Sequence, residues 1–151
     1  SQWDGNPLGA WCHYDNDSQY DSIYGKLYNW FAVGTEKLCP TGWHVPSYDE
    51  WTLLIDYLGV NGYENKESWA LKSRSDWNGS DNYGWNGLPG GYRDDNGPFF
   101  YEGYRGRGMW WTSTPIYLTS AFHTRFADHY DWFNRIEMDK VYGFSVRCLK
   151  D

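Results

Sequence analysis

Ser47 stands three residues before Glu50 in the stretch Leu38-Cys39-Pro40-Thr41-Gly42-Trp43-His44-Val45-Pro46-Ser47-Tyr48-Asp49-Glu50-Trp51, and that spacing commits the chain to a helix start. A serine hydroxyl at this point accepts from the third helical amide while the glutamate carboxylate reaches back to the serine's own N–H. Trp51, Leu54, Ile55 and Leu58 follow at i, i+3, i+4 and i+7, so four large apolar groups share one stripe. A helix with such a stripe docks on something. Gly59 and Gly62 predict that it stops near Leu58.

The rest of the chain reads as strand, turn and loop around that helix. Lys26 to Val33 (KLYNWFAV) reads as a strand, with Leu27, Phe31 and Val33 on one parity and Tyr28 and Trp30 on the other. Lys66 to Ser73 lacks breakers and predicts a short second helix. From Asp76 to Gly97 the chain is dense in Asn, Gly, Ser and Asp around Trp77, Trp85 and Tyr92. Rings of that size imply a long ordered loop rather than a linker. Short strands are predicted at Phe99 to Tyr101, Met109 to Ser113, Ser120 to Ala127, Asn134 to Asp139 and Phe144 to Leu149, several of them in one antiparallel meander. Residues 1–10 carry no periodicity and read as an N-terminal arm, leaving 11–151 as a single domain.

A chain of 151 residues buries roughly 70% of its unfolded surface, enough for one core. Its 11 Trp, 14 Tyr and 7 Phe make that core largely aromatic. The net charge of −7 opposes nucleic acid, whose binding rests on clustered Lys and Arg. No apolar run is long enough to span a bilayer, and no basic and apolar leader opens the chain, which reads as a mature fragment. Three Cys without metal-ligand spacing point to one disulfide and one spare thiol, and to an exported protein.

Six segments, taken in order, carry a resemblance. They are Ala10-Trp11-Cys12 through Tyr14-Asp15-Asn16-Asp17; Tyr24-Gly25 through Leu27-Tyr28-Asn29-Trp30; Leu38 to Trp51; Leu88-Pro89-Gly90-Gly91-Tyr92-Arg93; Trp110-Trp111-Thr112-Ser113-Thr114; and Tyr142-Gly143-Phe144-Ser145-Val146-Arg147-Cys148. Together they resemble the Fibrobacter succinogenes major paralogous domain family, itself similar to the formylglycine-generating-enzyme type of C-type lectin fold. The resemblance implies an α+β domain with two helices, a small antiparallel sheet tying the termini together, and long ordered loops. It implies bacterial export to an extracellular or cell-surface location, within a larger surface lipoprotein or adhesin. It also implies that the C-terminal strand returns beside the segment leading into the first helix, and with that a disulfide between Cys39 and Cys148. Cys12 competes for that pairing, because it too precedes an early strand and connectivity is not fixed by sequence.

For chemistry the sequence offers His13, His44, His123 and His129, with no His-Glu-x-x-His and no Gly-x-Ser-x-Gly. Formylglycine-generating enzymes need two C-terminal cysteines for copper, and only Cys148 occupies that region here. The expectation is therefore no enzyme, with an oxidoreductase or hydrolase as a lesser alternative. Asp15, Asp17 and Asp21 lie near one another in sequence and would suit a structural Ca²⁺, but their spacing departs from the Asp-x-Asp-x-Asp-Gly loop and an Asx-turn connector is the better explanation. No other cofactor is expected.

Aromatic residues occur on both parities of several predicted strands, so some are left over for a ligand. Flat rings with polar neighbours suit an extracellular glycan or a surface protein. The candidate surface comprises Tyr92, Arg93, Tyr101, Tyr104, Trp110, Tyr117, Phe122, His123, Arg125, His129, Tyr130 and Trp132. If Phe122, Thr124 and Phe126 face inward, His123 and Arg125 face outward. The competing reading shares the aromatics between two small cores. The polar and aromatic mixture from Ile116 to Lys140 also fits a protein-ligand display surface diversified by a retroelement, by analogy with C-type-lectin-like proteins of that kind.

Overall fold

The computed structural model describes residues 3, 8–100 and 106–151, the side chain of Trp132 excepted. Its centre is an antiparallel meander of β6 (Arg107–Pro115), β7 (Ser120–Ala127) and β8 (Tyr130–Asp139). Trp111 pairs with His123 and His123 with Ile136, while Trp110 pairs with Thr124 and Thr124 with Arg135. Alternate residues therefore serve opposite faces.

Each face has its own core. On one, Trp110 and Phe126 meet Trp51 and Leu58 of α3 (Tyr48–Leu58), Ala70 and Leu71 of α4 (Glu67–Leu71), and Trp77. On the other, Met109, Trp111 and Ala121 meet Val33, Val45 and Phe144. The aromatics are thus divided between two cores, and a sheet covered on both faces has no solvent parity. This corrects the expected orientation of β7: Thr124 and Phe126 are buried, but so is His123.

α3 begins as expected, on a capping box in which Ser47 accepts from the Glu50 amide and Glu50 accepts from the Ser47 amide. The segment from Lys26 to Val33 differs from the strand expected. It is a strand only over β2 (Lys26–Tyr28), which pairs with β1 (Trp11–His13), and then a helical turn, α2 (Trp30–Val33). The reason is Asn29, whose side chain accepts from the Ala32 amide and caps a new helix start. A further turn, α1 (Asp21–Tyr24), precedes β2, so the α-helices number four among the described residues rather than two.

Several small sheets complete the domain. β3 (Trp43–His44) pairs with β9 (Leu149–Lys150), which brings the C-terminal segment beside the start of α3. The Cys39–Cys148 disulfide closes the same junction, and Cys12 is the free cysteine. β4 (Tyr92–Arg93) pairs with β5 (Phe99–Phe100). Between Phe144 and Leu149 the expected strand is reduced to isolated bridges from Phe144 to Tyr28 and from Ser145 to Trp110. The loop carrying Trp77 and Trp85 is ordered by α4: the amides of Ser80, Asn82 and Gly87 donate to the carbonyls of Trp69, Ala70 and Leu71. In the N-terminal arm, Trp3 is buried, donating to the Val141 carbonyl at 2.6 Å with the Arg93 guanidinium over its ring. No helix among the described residues is long and apolar enough to cross a membrane.

Two buried lysines hold the turns of the meander. Lys72 donates to the Tyr130 carbonyl at 2.7 Å, beside Asp131, and so fixes the β7–β8 turn on α4. Lys140 donates to the carbonyls of Tyr117 and Leu118 at 2.8 and 3.2 Å, with its ammonium over the Trp30 ring, and fixes the β6–β7 turn. Burial lowers the pKa of both ammonium groups, opposed at Lys72 by Asp131 and Asp128.

Candidate functional site

Of the residues expected to form one aromatic surface, several of the described ones lie apart or are buried. Tyr117 is exposed in one turn of the meander, and His129 and Tyr130 are exposed at the other, separated by the eight residues of β7. At about 3.3 Å per residue that strand keeps them some 25 Å apart. Trp110 and His123 are buried in opposite cores. Burial pushes the His123 pKa down to about 3, and its ring lies against Trp111 and Phe144, so it is a neutral core residue. Arg93 is buried under Trp3, while Tyr92 stacks on Phe100 at 5.3 Å. Phe122 is half-buried against Tyr48, and Arg125 is half-buried on β7. Trp132 lies on β8, its side chain outside what is described, and Tyr101 and Tyr104 lie outside the described residues altogether.

Two of the three aspartates have local partners. Asp17 forms an Asx turn onto the Gln19 amide at 2.9 Å, and Asp21 accepts from His13 at 2.8 Å and faces Lys26 at 3.9 Å. Among the described residues no three His, Cys, Asp or Glu side chains converge as metal ligands.

What the fold does assemble is a pocket of about 260 Å³ at the disulfide junction, lined by Pro46, Glu50, Trp51, Leu54, Trp85, Arg147, Cys148 and Leu149. Three distant segments meet there. The capping box sets Glu50 and the first turn of α3, the apolar stripe supplies Trp51 and Leu54, the α4-bound loop supplies Trp85, and the disulfide holds Arg147 to Leu149 alongside. Trp51 meets Trp85 edge-on at 5.9 Å. The Arg147 guanidinium covers the Trp85 ring at 4.5 Å and donates to the Trp85 carbonyl. Sequence spacing displayed only the α3 part of this site; Arg147 stood in plain view within a strand-like run and carried no sign that it would meet Trp85.

At the rim, His44 is held between two carboxylates, Nε2 on Glu50 at 2.7 Å and Nδ1 on Asp151 at 2.6 Å. Hydrogen bonds to Asp151 and then to Glu50 raise its pKa. Burial pushes the Glu50 carboxyl up, but the Ser47 amide and hydroxyl together with His44 outweigh it and hold the group below its ordinary value. The Ser47 hydroxyl donates to Glu50 and not to His44, so the trio caps and braces the helix start. The free Cys12 thiol is pushed by burial up to about 11, with Arg93 opposing, which leaves it a poor nucleophile at neutral pH.

A second group of rings lies on the outer side of α3. Leu53, Tyr57 and Val60 form an exposed stripe at i, i+4 and i+7. Tyr83, in the α4-bound loop, meets Tyr57 at 5.9 Å and Tyr63 at 5.8 Å, and Tyr63 leans on Trp69.

A family model described as the Fibrobacter succinogenes major domain matches residues 4–150. The chain matches no curated protein and no solved structure.

Proposed function

We propose that this chain, which belongs to the Fibrobacter succinogenes major domain family, is a non-catalytic binding module of an extracellular or cell-surface bacterial protein, with a C-type-lectin-like fold. The observation that carries the reading is the preformed pocket between α3, the Trp85 loop and the Arg147–Leu149 segment. Its walls are mostly apolar and aromatic, it is fixed by a disulfide, a capping box and the α4-bound loop, and it carries only a few polar groups. Concave, rigid and mainly apolar sites of this kind accept a single ring or side chain with little ordering cost. A protein ligand inserting one apolar anchor fits this geometry best. A glycan is the second reading, favoured by the half-exposed Tyr57 and Tyr83 rings, which offer open faces for sugar C–H groups. Display by sequence diversification between Ile116 and Lys140 would act mainly through the exposed turns, since most of β7 is buried.

The test is an NMR titration of the labelled chain with two neutral probes, 3-phenylpropionamide and methyl β-glucoside. The amide should shift Leu54, Trp85 and Leu149 with a Kd in the millimolar range. Filling the space by Leu54→Trp should abolish those shifts. Shifts confined to Tyr57 and Tyr83 on adding the glucoside would favour the glycan reading, and no shift at either place with either probe would refute the module reading.

A further inference from the structure

We propose that the pocket at the disulfide junction takes an apolar group bearing a carboxylate, with Arg147 as its counter-ion. The proposal rests on the reading of that pocket as the binding site, and it specifies the ligand's chemistry.

The pocket's two charged residues differ in how far they are engaged. Glu50 is fully engaged: Oε1 meets His44, and Oε2 accepts from both the amide and the hydroxyl of Ser47. Arg147 has five N–H donors, and among the described residues they make one hydrogen bond, to the Trp85 carbonyl. It forms no ion pair among the described residues. The residue as a whole is exposed; packing of its guanidinium on Trp85 desolvates it enough to pull its pKa down, and the Asp81 charge opposes that from beyond ion-pair distance. The other cations held in the fold are better matched: Lys72 has a carbonyl and Asp131, and Lys140 has two carbonyls.

An exposed guanidinium with no ion-pair partner among the described residues, at the edge of an apolar space, suits a particular complement. Its planar fork fits a carboxylate through two parallel N–H···O bonds, and stacking on Trp85 fixes the plane of that fork in advance. The body of the ligand would lie against Pro46, Trp51, Leu54 and Leu149. A small aryl acid and the C-terminus of a protein chain ending in an apolar residue share this chemistry; a uronic acid carries the carboxylate on a polar ring and serves as the contrast.

The experiment extends the NMR titration to 3-phenylpropionate, N-acetylphenylalanine and methyl β-glucuronide, each measured against 3-phenylpropionamide. At least one carboxylate should bind about tenfold tighter than the amide, the gain expected of a charge-assisted hydrogen bond. Which acid binds tightest identifies the source. The preference should shrink in 0.5 M NaCl in the unaltered protein, where folding of a variant is not in question. Arg147→Gln should erase the preference for the acid over the amide. If acid and amide bind alike, the carboxylate proposal is wrong and the pocket reading survives; if no probe moves a pocket resonance, both are wrong. A preference that persists in Arg147→Gln also overturns the role given to Arg147.

Discussion

Replacing Cys39 and Cys148 with alanine, in a Cys12→Ala background, tests how the domain keeps its two halves together. The bond joins positions 109 apart in sequence, so it closes a loop that spans most of the chain. The chain-entropy relation gives such a loop about 4.8 kcal/mol at 25 °C. A chain of 151 residues unfolds with an entropy of roughly 0.32 kcal/mol/K near 60 °C. The double replacement should therefore lower Tm by about 15 °C, and either single replacement should do nearly as much, because either breaks the same bond. Urea unfolding at 25 °C measures the free energy directly, and calorimetry gives the Tm. A loss below about 1 kcal/mol would refute the loop-closure reasoning. A double variant far less stable than both singles would place the effect in sulfur packing against the core.

Further outcomes follow from other sites. Gly108→Ala should destabilise by about 1–3 kcal/mol, read by urea unfolding, because its new Cβ would come within 2.7 Å of the Leu88 carbonyl oxygen and the Trp77 ring; a neutral result would mean that the loop yields freely. Lys72→Ala should cost about 2–3 kcal/mol, and Lys72→Met distinctly less, because methionine keeps the packing and spares the buried ammonium; equal losses would contradict the account of the clamp. Since the folded His44 pKa is raised, its contribution is complete below the ordinary value of 6.5 and fades as pH rises through the folded value. Glu50 is held low, so its contribution is present above 4.5 and fades as pH falls. Melting curves should thus show best stability between those values, with His44→Gln removing the decline on the alkaline side; an unchanged decline would show that His44 does not cause it.

The local grammar of the chain was readable where one short segment decides the outcome. Ser47 and Glu50 specify a helix start without help from elsewhere, and the bounds of β7 follow from a run between turns. Asn29 was equally local evidence, a cap residue inside a strand-like run, and it turns the chain into α2. Orientation on β7 was not readable, because period-two alternation assigns a solvent face only when one exists, and here Phe144 covers His123 from beyond the sheet. The pocket was hidden for a related reason. Leu54, Trp85 and Arg147 meet only after α4 has gathered the loop and the disulfide has brought back the chain's end.

The two lysine clamps have a consequence of another kind. Lys72 and Lys140 recognise main-chain oxygens, which every amino acid carries, so the path of each turn is set without reference to the side chains at Tyr117, Leu118 and Tyr130. Substitutions at the exposed Tyr117 and Leu118 can therefore change the surface of that turn while the peptide groups stay where they are. Lys72 and Lys140 themselves have no such latitude: each is the fixed bearing on which an interchangeable tip is mounted.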